Sequence, residues 1–167
     1  MRKLIRLHDG QFRWADDRFT TVGDDEPIPA GDVILSLKRY MAEGEALAAN
    51  RAVGVRLEPA DAVEDLAYDL PRVAVIALAI PKYRDGRAYS AAQLLRQRYG
   101  YTGEIRAVGE VLREQALHMV RCGFDAFEPA DGSDPPVWAA GAGRYRHVYQ
   151  RAADHRQPVF AEREATE

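Results

Sequence analysis

The sequence has very little cysteine: Cys122 is its only one among 167 residues. A single cysteine excludes an intramolecular disulfide and a metal site built from several thiolates. The four histidines, at positions 8, 118, 147 and 155, lack the short spacing that zinc sites use. We therefore expect no metal centre. We also expect Cys122, which closes a helical pattern just before Gly123, to be buried and inert.

The chain also lacks a long apolar run. Its longest, from Val73 to Ile80, suits a buried strand and is too short to cross a bilayer. The first residues carry no apolar stretch of the signal-peptide kind. The formal net charge is only −3, so nothing global points to nucleic acid or to an anionic membrane. The expectation is a cytoplasmic protein without a membrane or nucleic-acid partner.

Common catalytic motifs are missing as well. The sequence contains no Walker A, G-x-G-x-x-G or G-x-S-x-G motif, so it carries neither a dinucleotide fingerprint nor a hydrolase nucleophile. Gly141 to Arg144 reads G-A-G-R inside a helical pattern, which favours packing over phosphate binding. These absences leave the catalytic residues unknown.

What is present is the composition of one globular domain, with 47% apolar and 29% charged residues. Asp9-Gly10 between two apolar-containing runs predicts a β-hairpin. We divide the chain into a hairpin extension (1–25), an α/β core (30–130), a C-terminal helix (137–153) and a loose tail (154–167).

The core alternates between strand and helix patterns. Strands are predicted near residues 53, 73, 104 and 124, and helical segments separate them, which is typical of βαβ units. The expected fold is a parallel four-stranded α/β sheet, which resembles either half of a (β/α)₈ barrel or an open flavodoxin-like sheet.

The helices are predicted from their caps. One should begin at Asp32 and end at Asn50. Asp61 to Glu64 and Ser90 to Gln93 have the spacing of capping boxes that open further helices, the first of which should stop at Pro71. A fourth helix, from Glu110 to Cys122, should end at Gly123.

The loop after the most apolar strand is the candidate functional site. Ligands of parallel α/β sheets bind beyond the carboxyl ends of the strands. This loop reads P-K-Y-R-D-G-R-A-Y-S from Pro81 to Ser90, and it leads directly into a helix. Guanidinium groups and free amides at a helix start both bind oxyanions. We expect Arg84, Arg87 and Arg106 to converge with Tyr89 and the amides near Ser90 on one electropositive surface.

Charge is concentrated in the same region. Residues 81–106 carry a net charge of +4, against −7 for the remainder, and they include four of the eight tyrosines. A simpler interpretation competes for some of these residues. Arg96 and Arg98 lie on a helix and are expected to be solvated, and Arg87 can form a local ion pair with Asp85. Asp125 and Glu128 end the last strand and can face the same cleft or act as caps.

The loop and the segments that follow it resemble an uncharacterised bacterial family. The resemblance covers about residues 30–130, and its most specific part is the P-K-Y-R-D-G-R-A-Y-S stretch. That family is usually encoded beside assimilatory sulfite reductase, and gene neighbourhood is the basis of its label as an oxidoreductase of sulfite reduction. Its characteristic residues match Lys82, Arg84, Asp85, Gly86, Arg87, Tyr89, Ser90 and Arg106.

The resemblance implies a role in sulfate assimilation and cysteine biosynthesis, and it leaves two functions open. The first is an accessory protein that docks on sulfite reductase or its electron donor through the basic loop. The second is an oxidoreductase whose loop binds a small oxyanion, or a phosphate-bearing cofactor such as a flavin. We prefer the accessory role, because the sequence carries no redox group of its own.

Overall fold

One sheet of eight strands organises the molecule, for which a computed structural model describes residues 3–164. The strands are β1 (Leu4–His8), β2 (Gln11–Ala15), β3 (Phe19–Thr21), β4 (Asp32–Ser36), β5 (Val53–Leu57), β6 (Val73–Ile80), β7 (Glu104–Gly109) and β8 (Ala126–Phe127). Their order across the sheet is β2-β1-β8-β7-β6-β5-β4-β3. Strands β3 to β8 are parallel to one another, whereas β1 is antiparallel to both β8 and β2.

The predicted α/β class and the parallel course of the four core strands are confirmed, because β5, β6, β7 and β8 run in one direction. The count of four strands is wrong. Two more parallel strands extend the sheet at one edge, and the predicted hairpin extends it at the other by pairing Ile5 with Phe127. The Asp9-Gly10 turn of that hairpin lies where it was predicted.

The sheet is curled into a half-barrel. Strands β2 and β3 lie at its opposite edges, yet only residues 16–18 separate them in the chain. Four residues of extended chain span at most about 14 Å, whereas the edges of a flat sheet of eight strands would lie roughly 34 Å apart. The short connection between Ala15 and Phe19 therefore requires the curl, which decides between the two predicted architectures.

The helix predicted to begin at Asp32 is wrong over its first turn. Val33, Ile34 and Leu35 form strand β4, and all three are buried because both faces of this strand are covered. Ser36 is the residue that caps the following helix, by accepting a hydrogen bond from the Arg39 amide (3.2 Å). Asn50 does not adopt the left-handed conformation that was predicted for it.

The helical segments are shorter and less regular than the caps predicted. They are α1 (Leu37–Arg39), α2 (Glu45–Ala48), α3 (Arg87–Gln93), α4 (Ala116–Cys122), α5 (Pro135–Ala142) and α6 (Val159–Glu164). A π-helical turn, Tyr40–Gly44, joins α1 to α2, and another, Leu94–Arg98, extends α3. Short 3₁₀ turns occur at Val63–Leu66, Leu70–Arg72 and Arg113–Gln115. Gly123 ends α4 in a left-handed conformation, as predicted.

Several helix predictions need correction. The box at Asp61 opens only a 3₁₀ turn, and Pro71 lies inside the next turn rather than at a helix end. The C-terminal helix stops at Ala142, because Gly143 follows it. The tail is not loose up to Glu164, since Val148 pairs with Pro158 and α6 follows; residues 165–167 lie outside the described part.

The two faces of the sheet carry different layers. On the outer face, strand residues such as Val55, Ile76 and Ile105 pack with α3 and α4 residues such as Leu95 and Met119 in the main core. The inner face, inside the curl, holds a smaller apolar cluster, which consists of Phe19, Ile34, Val75, Ala77, Ala79 and Val108. This alternation follows from the two-residue period of each strand.

A charged network occupies the inner face beside this cluster. The side chain of Arg106 in β7 is fully buried. Its guanidinium lies 2.7 Å from an Asp17 oxygen, 2.8 Å from Glu104 and 3.4 Å from Glu128. Arg6 of β1 donates to the other Glu104 oxygen (2.7 Å). Since Asp17 lies in the connection between β2 and β3, the network joins that connection to β1, β7 and the end of β8.

Arg106→Met is expected to lower the free energy of unfolding by about 3–5 kcal/mol, because it leaves the largely buried Asp17 carboxylate without its cation. The matched control is Arg56→Met in strand β5, whose guanidinium pairs with Glu58 (2.7 Å) at a partly exposed site. That control should cost about 1 kcal/mol or less. Chemical denaturation measures both losses, and equal losses would contradict a structural role for the buried network.

Asp17 should make the stability depend on pH. Burial raises the pKa of Asp17, but the hydrogen bond and the charge of Arg106 outweigh burial and hold it below its ordinary 3.8. Such a carboxylate stabilises the fold above its unfolded-state pKa and loses this contribution as pH falls through its folded-state pKa. The stability difference between the wild type and Asp17→Asn should therefore be constant above about pH 5 and shrink below about pH 4. A difference that grows on acidification would refute this coupling.

Candidate functional site

The loop after β6 lies at the carboxyl edge of the parallel strands, as predicted. It is fixed to the end of the next strand by three hydrogen bonds. The Glu110 amide donates to the Ile80 carbonyl (2.7 Å), the Tyr83 amide donates to the Glu110 carboxylate (2.6 Å), and the Gln115 side chain donates to the Tyr83 carbonyl (3.3 Å). The loop therefore has a defined shape, although Pro81 to Arg84 are exposed.

Asp85 neutralises one of the three loop cations. Its carboxylate accepts two hydrogen bonds from the Arg87 guanidinium (3.0 and 2.7 Å) and one from the Arg87 amide (3.2 Å). The Arg87 hydrogen bonds lower the pKa of Asp85 below its ordinary value. The local pairing of Arg87 with Asp85, weighed from the sequence, is the arrangement found.

This pairing changes the predicted anion site. Helix α3 begins at Arg87, so Ser90 lies inside it rather than at its cap, and Gly86 precedes it. The amide of Arg87 already has the Asp85 carboxylate, and the amide of Tyr89 donates to the Gly86 carbonyl (3.1 Å). An internal carboxylate thus occupies the position that was predicted for an external anion.

Lys82 and Arg84 are in a different situation from Arg87. Both residues are exposed on the loop, on either side of the half-exposed Tyr83. Within residues 3–164, neither side chain forms a salt bridge or a hydrogen bond. They are the loop cations that remain available to a binding partner.

The predicted convergence of Arg106 with the loop is wrong. Alternation along β7 turns Arg106 to the inner face of the sheet, where Asp17 and Glu104 bind it, so it cannot share a surface with Arg84 and Arg87. Glu128 belongs to the same buried network rather than to a cleft.

Arg96 is not solvated, in contrast to the prediction for it. Its guanidinium donates to the carbonyls of Tyr101, Gly103 and Gly123 and to the Asp125 carboxylate, all within 3.0 Å. Arg98, by contrast, is exposed as expected. The Arg96 interactions tie the end of the α3 helix to the starts of β7 and β8.

Asp125 lies beside a cavity of about 510 Å³ at the amino edge of the sheet. Burial raises the pKa of Asp125 to about 6, although the Arg96 charge and the Ile105 amide both act to lower it. Apolar side chains, including Leu7, Phe12 and Phe124, form much of the wall. This end of a parallel sheet is opposite to the one where ligands bind in such folds, so we do not place the functional site here.

An open groove of about 560 Å³ adjoins the loop on the outer face, between α3 and α4. Its walls consist of Tyr83, Gly86, Tyr89, Ser90, Gln93, Glu114, Gln115, His118 and Cys122. Four of these nine residues belong to the loop and helix start that were predicted from the sequence as the functional site.

Two buried polar atoms in this groove lack a partner. The Tyr89 hydroxyl and the Gln115 side-chain oxygen are both buried, and neither has a hydrogen-bond partner among residues 3–164. The Tyr89 ring lies against His118 (4.6 Å between centroids) and Phe124 (5.9 Å). Burial raises the pKa of Tyr89, so its hydroxyl stays protonated. Unpaired buried polar groups are rare in native proteins, so these two atoms set the groove apart from most of its surroundings.

Cys122 forms the deep end of the groove and is buried, as predicted. Burial raises the pKa of its thiol to about 11, so the thiolate is scarce at neutral pH. Its sulfur lies 4.0 Å from His118 Nε2. Within the described residues, no three His, Cys, Asp or Glu side chains are grouped so that they could hold a metal ion.

The α4 wall of the groove was not predicted from the sequence. Gln115, His118 and Cys122 recur at helical spacing, so they lie on one side of the chain around α4. That spacing of polar residues was the only signal for the groove wall in the sequence. It was overlooked because the apolar side of the same helix already accounts for a helical pattern. Nothing in the sequence indicated that the polar side would face α3.

Tyr89→Phe is expected to raise the free energy of unfolding by about 1 kcal/mol, because it removes a buried hydroxyl that has no partner. The matched control is Tyr101→Phe, whose buried hydroxyl donates to the Val73 carbonyl (3.0 Å). That control should lose about 1 kcal/mol. If both substitutions destabilise the protein equally in urea titrations, the Tyr89 hydroxyl has a partner in solution and the groove is fully satisfied.

Comparison with known proteins adds the family. No helix in the described range 3–164 is long and apolar enough to cross a membrane, and no curated protein matches the chain. A family model described as "Bacterial protein of unknown function (DUF934)" matches residues 54–160. The match begins at residue 54 in β5, later than the expected start near residue 30, and includes the loop, the groove and β6 to β8. It extends beyond residue 130, where the resemblance was expected to end. Because the match covers more than half of the sequence, the chain belongs to this bacterial family.

Proposed function

We propose that the chain is an accessory protein of assimilatory sulfite reduction, which docks on the reductase or its electron donor through the loop from Pro81 to Arg87. The observation that carries the proposal is the pair of exposed cations, Lys82 and Arg84, which have no ionic partner within residues 3–164. Cations in this position can form charge-assisted hydrogen bonds with carboxylates of an acidic partner.

The loop suits docking because its backbone is already ordered. The Asp85 amide donates to the Lys82 carbonyl (2.8 Å), and Glu110 and Gln115 hold Tyr83 through its backbone. A loop that is fixed before binding loses less conformational entropy when it binds. The Tyr83 side chain, which is 48% exposed, adds an aromatic anchor of the kind that is enriched in protein interfaces.

A protein partner is favoured over a small anion by the state of Arg87. A small oxyanion at the helix start would have to displace the Asp85 carboxylate from both the guanidinium and the amide of Arg87. A partner's carboxylates need only reach Lys82 and Arg84 on the outside of the loop. The assignment to sulfite reduction rests on the resemblance of the loop sequence.

The groove supports a second candidate, an oxidoreductase that acts with a bound cofactor such as a flavin. The exposed side chains of Ser90, Gln93 and His118 line the groove and would form hydrogen bonds with a small polar ligand. The visible spectrum of the purified protein separates the two candidates. A bound flavin would colour the protein yellow, whereas the accessory role expects no absorbance above the aromatic bands.

Lys82→Ala/Arg84→Ala should weaken binding to tagged sulfite reductase or its electron donor by about tenfold, because it removes both available loop cations. The control variant, Lys38→Ala/Arg98→Ala, removes an exposed lysine and an exposed arginine elsewhere and should bind like the parent. Co-purification from the same lysate and a titration against salt measure the effect. If the parent captures neither protein, or if both double variants bind equally, the proposed function is wrong.

A further inference from the structure

We infer that residues 144–151 form a second docking surface, which binds an acidic, extended segment of a partner protein. The sequence of this stretch, R-Y-R-H-V-Y-Q-R, holds three arginines and no acidic residue in a chain of net charge −3. This surface is independent of the loop after β6 and goes beyond the function proposed for that loop.

The end of the segment lies at the opposite edge of the sheet from the loop. The Ala153 amide that follows it donates to the Arg121 carbonyl near the end of α4 (3.0 Å). Gly123, which ends α4 at the amino edge of β8, lies directly beside Ala153.

The backbone of the segment is held in place from several sides. The Arg156 guanidinium donates to the carbonyls of Tyr145 (3.0 Å) and Arg146 (2.6 Å). The Val148 side chain is buried, and its carbonyl accepts the Val159 amide (2.8 Å). This stretch is thus ordered before a partner arrives, which lowers the entropic cost of association.

The side chains, in contrast to the backbone, are available for binding. Arg144, Arg146 and Arg151 are exposed, and none of them forms an ion pair within residues 3–164. Asp154, three residues after the segment, already pairs with Arg121 (3.1 Å), and Glu162 pairs with His147 (2.6 Å).

Aromatic rings alternate with these arginines. Tyr149 is 89% exposed and Tyr145 is 58% exposed. Tyrosine and arginine are the residues that contribute most often to binding energy at protein interfaces. Arginines on a fixed backbone can bind carboxylates through paired hydrogen bonds. The tyrosine rings can pack against the apolar parts of the partner's chain.

An acidic protein segment fits this surface better than nucleic acid does. Nucleic-acid binding draws its affinity from many phosphate contacts and is typical of strongly basic domains. The isoelectric point here is about 5.8, so the rest of the surface would repel a long polyanion. A short acidic segment would contact only residues 144–151 and would avoid this repulsion.

The test is fluorescence anisotropy with a labelled glutamate-rich peptide and a labelled oligouridylate of the same length. Arg144→Ala/Arg146→Ala/Arg151→Ala should weaken peptide binding by about tenfold. The control, Arg13→Ala/Lys38→Ala/Arg98→Ala, removes three exposed cations elsewhere and should bind the peptide like the parent. Tyr149→Ala should weaken binding severalfold, whereas Tyr68→Ala, which removes a 96% exposed ring outside the segment, should not.

Three outcomes would overturn the inference: no peptide binding by the parent at low salt, equal binding by the two triple variants, or tighter binding of the oligouridylate than of the peptide. The last would identify a nucleic-acid surface instead. Co-purification with sulfite reductase is measured separately on the Lys82→Ala/Arg84→Ala variant. Each proposal is therefore tested by its own experiment, and failure of one does not refute the other.

Discussion

The buried guanidinium of Arg106 joins parts of the chain that are far apart in sequence. It binds Asp17 of the connection between β2 and β3, Glu104 of its own strand and Glu128 after β8. The connection is so short that the sheet must curl, and the ion pair with Asp17 holds it against the inner face. Burial of a charged side chain requires such compensation. The curl in turn leaves the helices and the groove on the outer face.

Much of the core could be predicted from the sequence because each signal there had one interpretation. The stretch from Val73 to Ile80 is too uniformly aliphatic for a half-exposed element, and the helix-length spacing around it requires parallel crossovers. The pattern of the region after Asp32, by contrast, fits two interpretations. Val33, Ile34, Leu37 and Tyr40 satisfy a helical period, yet Val33 to Leu35 also suit a strand buried on both faces. Pairing of this stretch between β3 and β5, which no local pattern encodes, decided the outcome.

The candidate site could be predicted only in part. The position of the loop followed from the topology, and the pairing of Arg87 with Asp85 was visible in their spacing. The position of the Arg106 side chain could not be predicted, because it depends on which face of β7 turns inward. The prediction that Arg96 is solvated was wrong for a related reason. A helical arginine is solvated unless a neighbouring turn brings carbonyl groups to it, and here the tight connection to β7 supplies the carbonyls of Tyr101 and Gly103. The groove needed the relative placement of α3 and α4, which only tertiary packing supplies.

The pairing of Ile5 with Phe127 has a consequence for how the chain folds. During synthesis the hairpin emerges before β8, and it can form within microseconds because its contacts are local. Its outer edge, with the apolar Leu4 and Ile5, then stays unpaired until β8 has left the ribosome. Pairing between the two ends of such a long stretch of chain is a slow, non-local step. The nascent chain therefore carries an aggregation-prone strand edge while the strands between β2 and β8 are synthesised, and β8 then covers it.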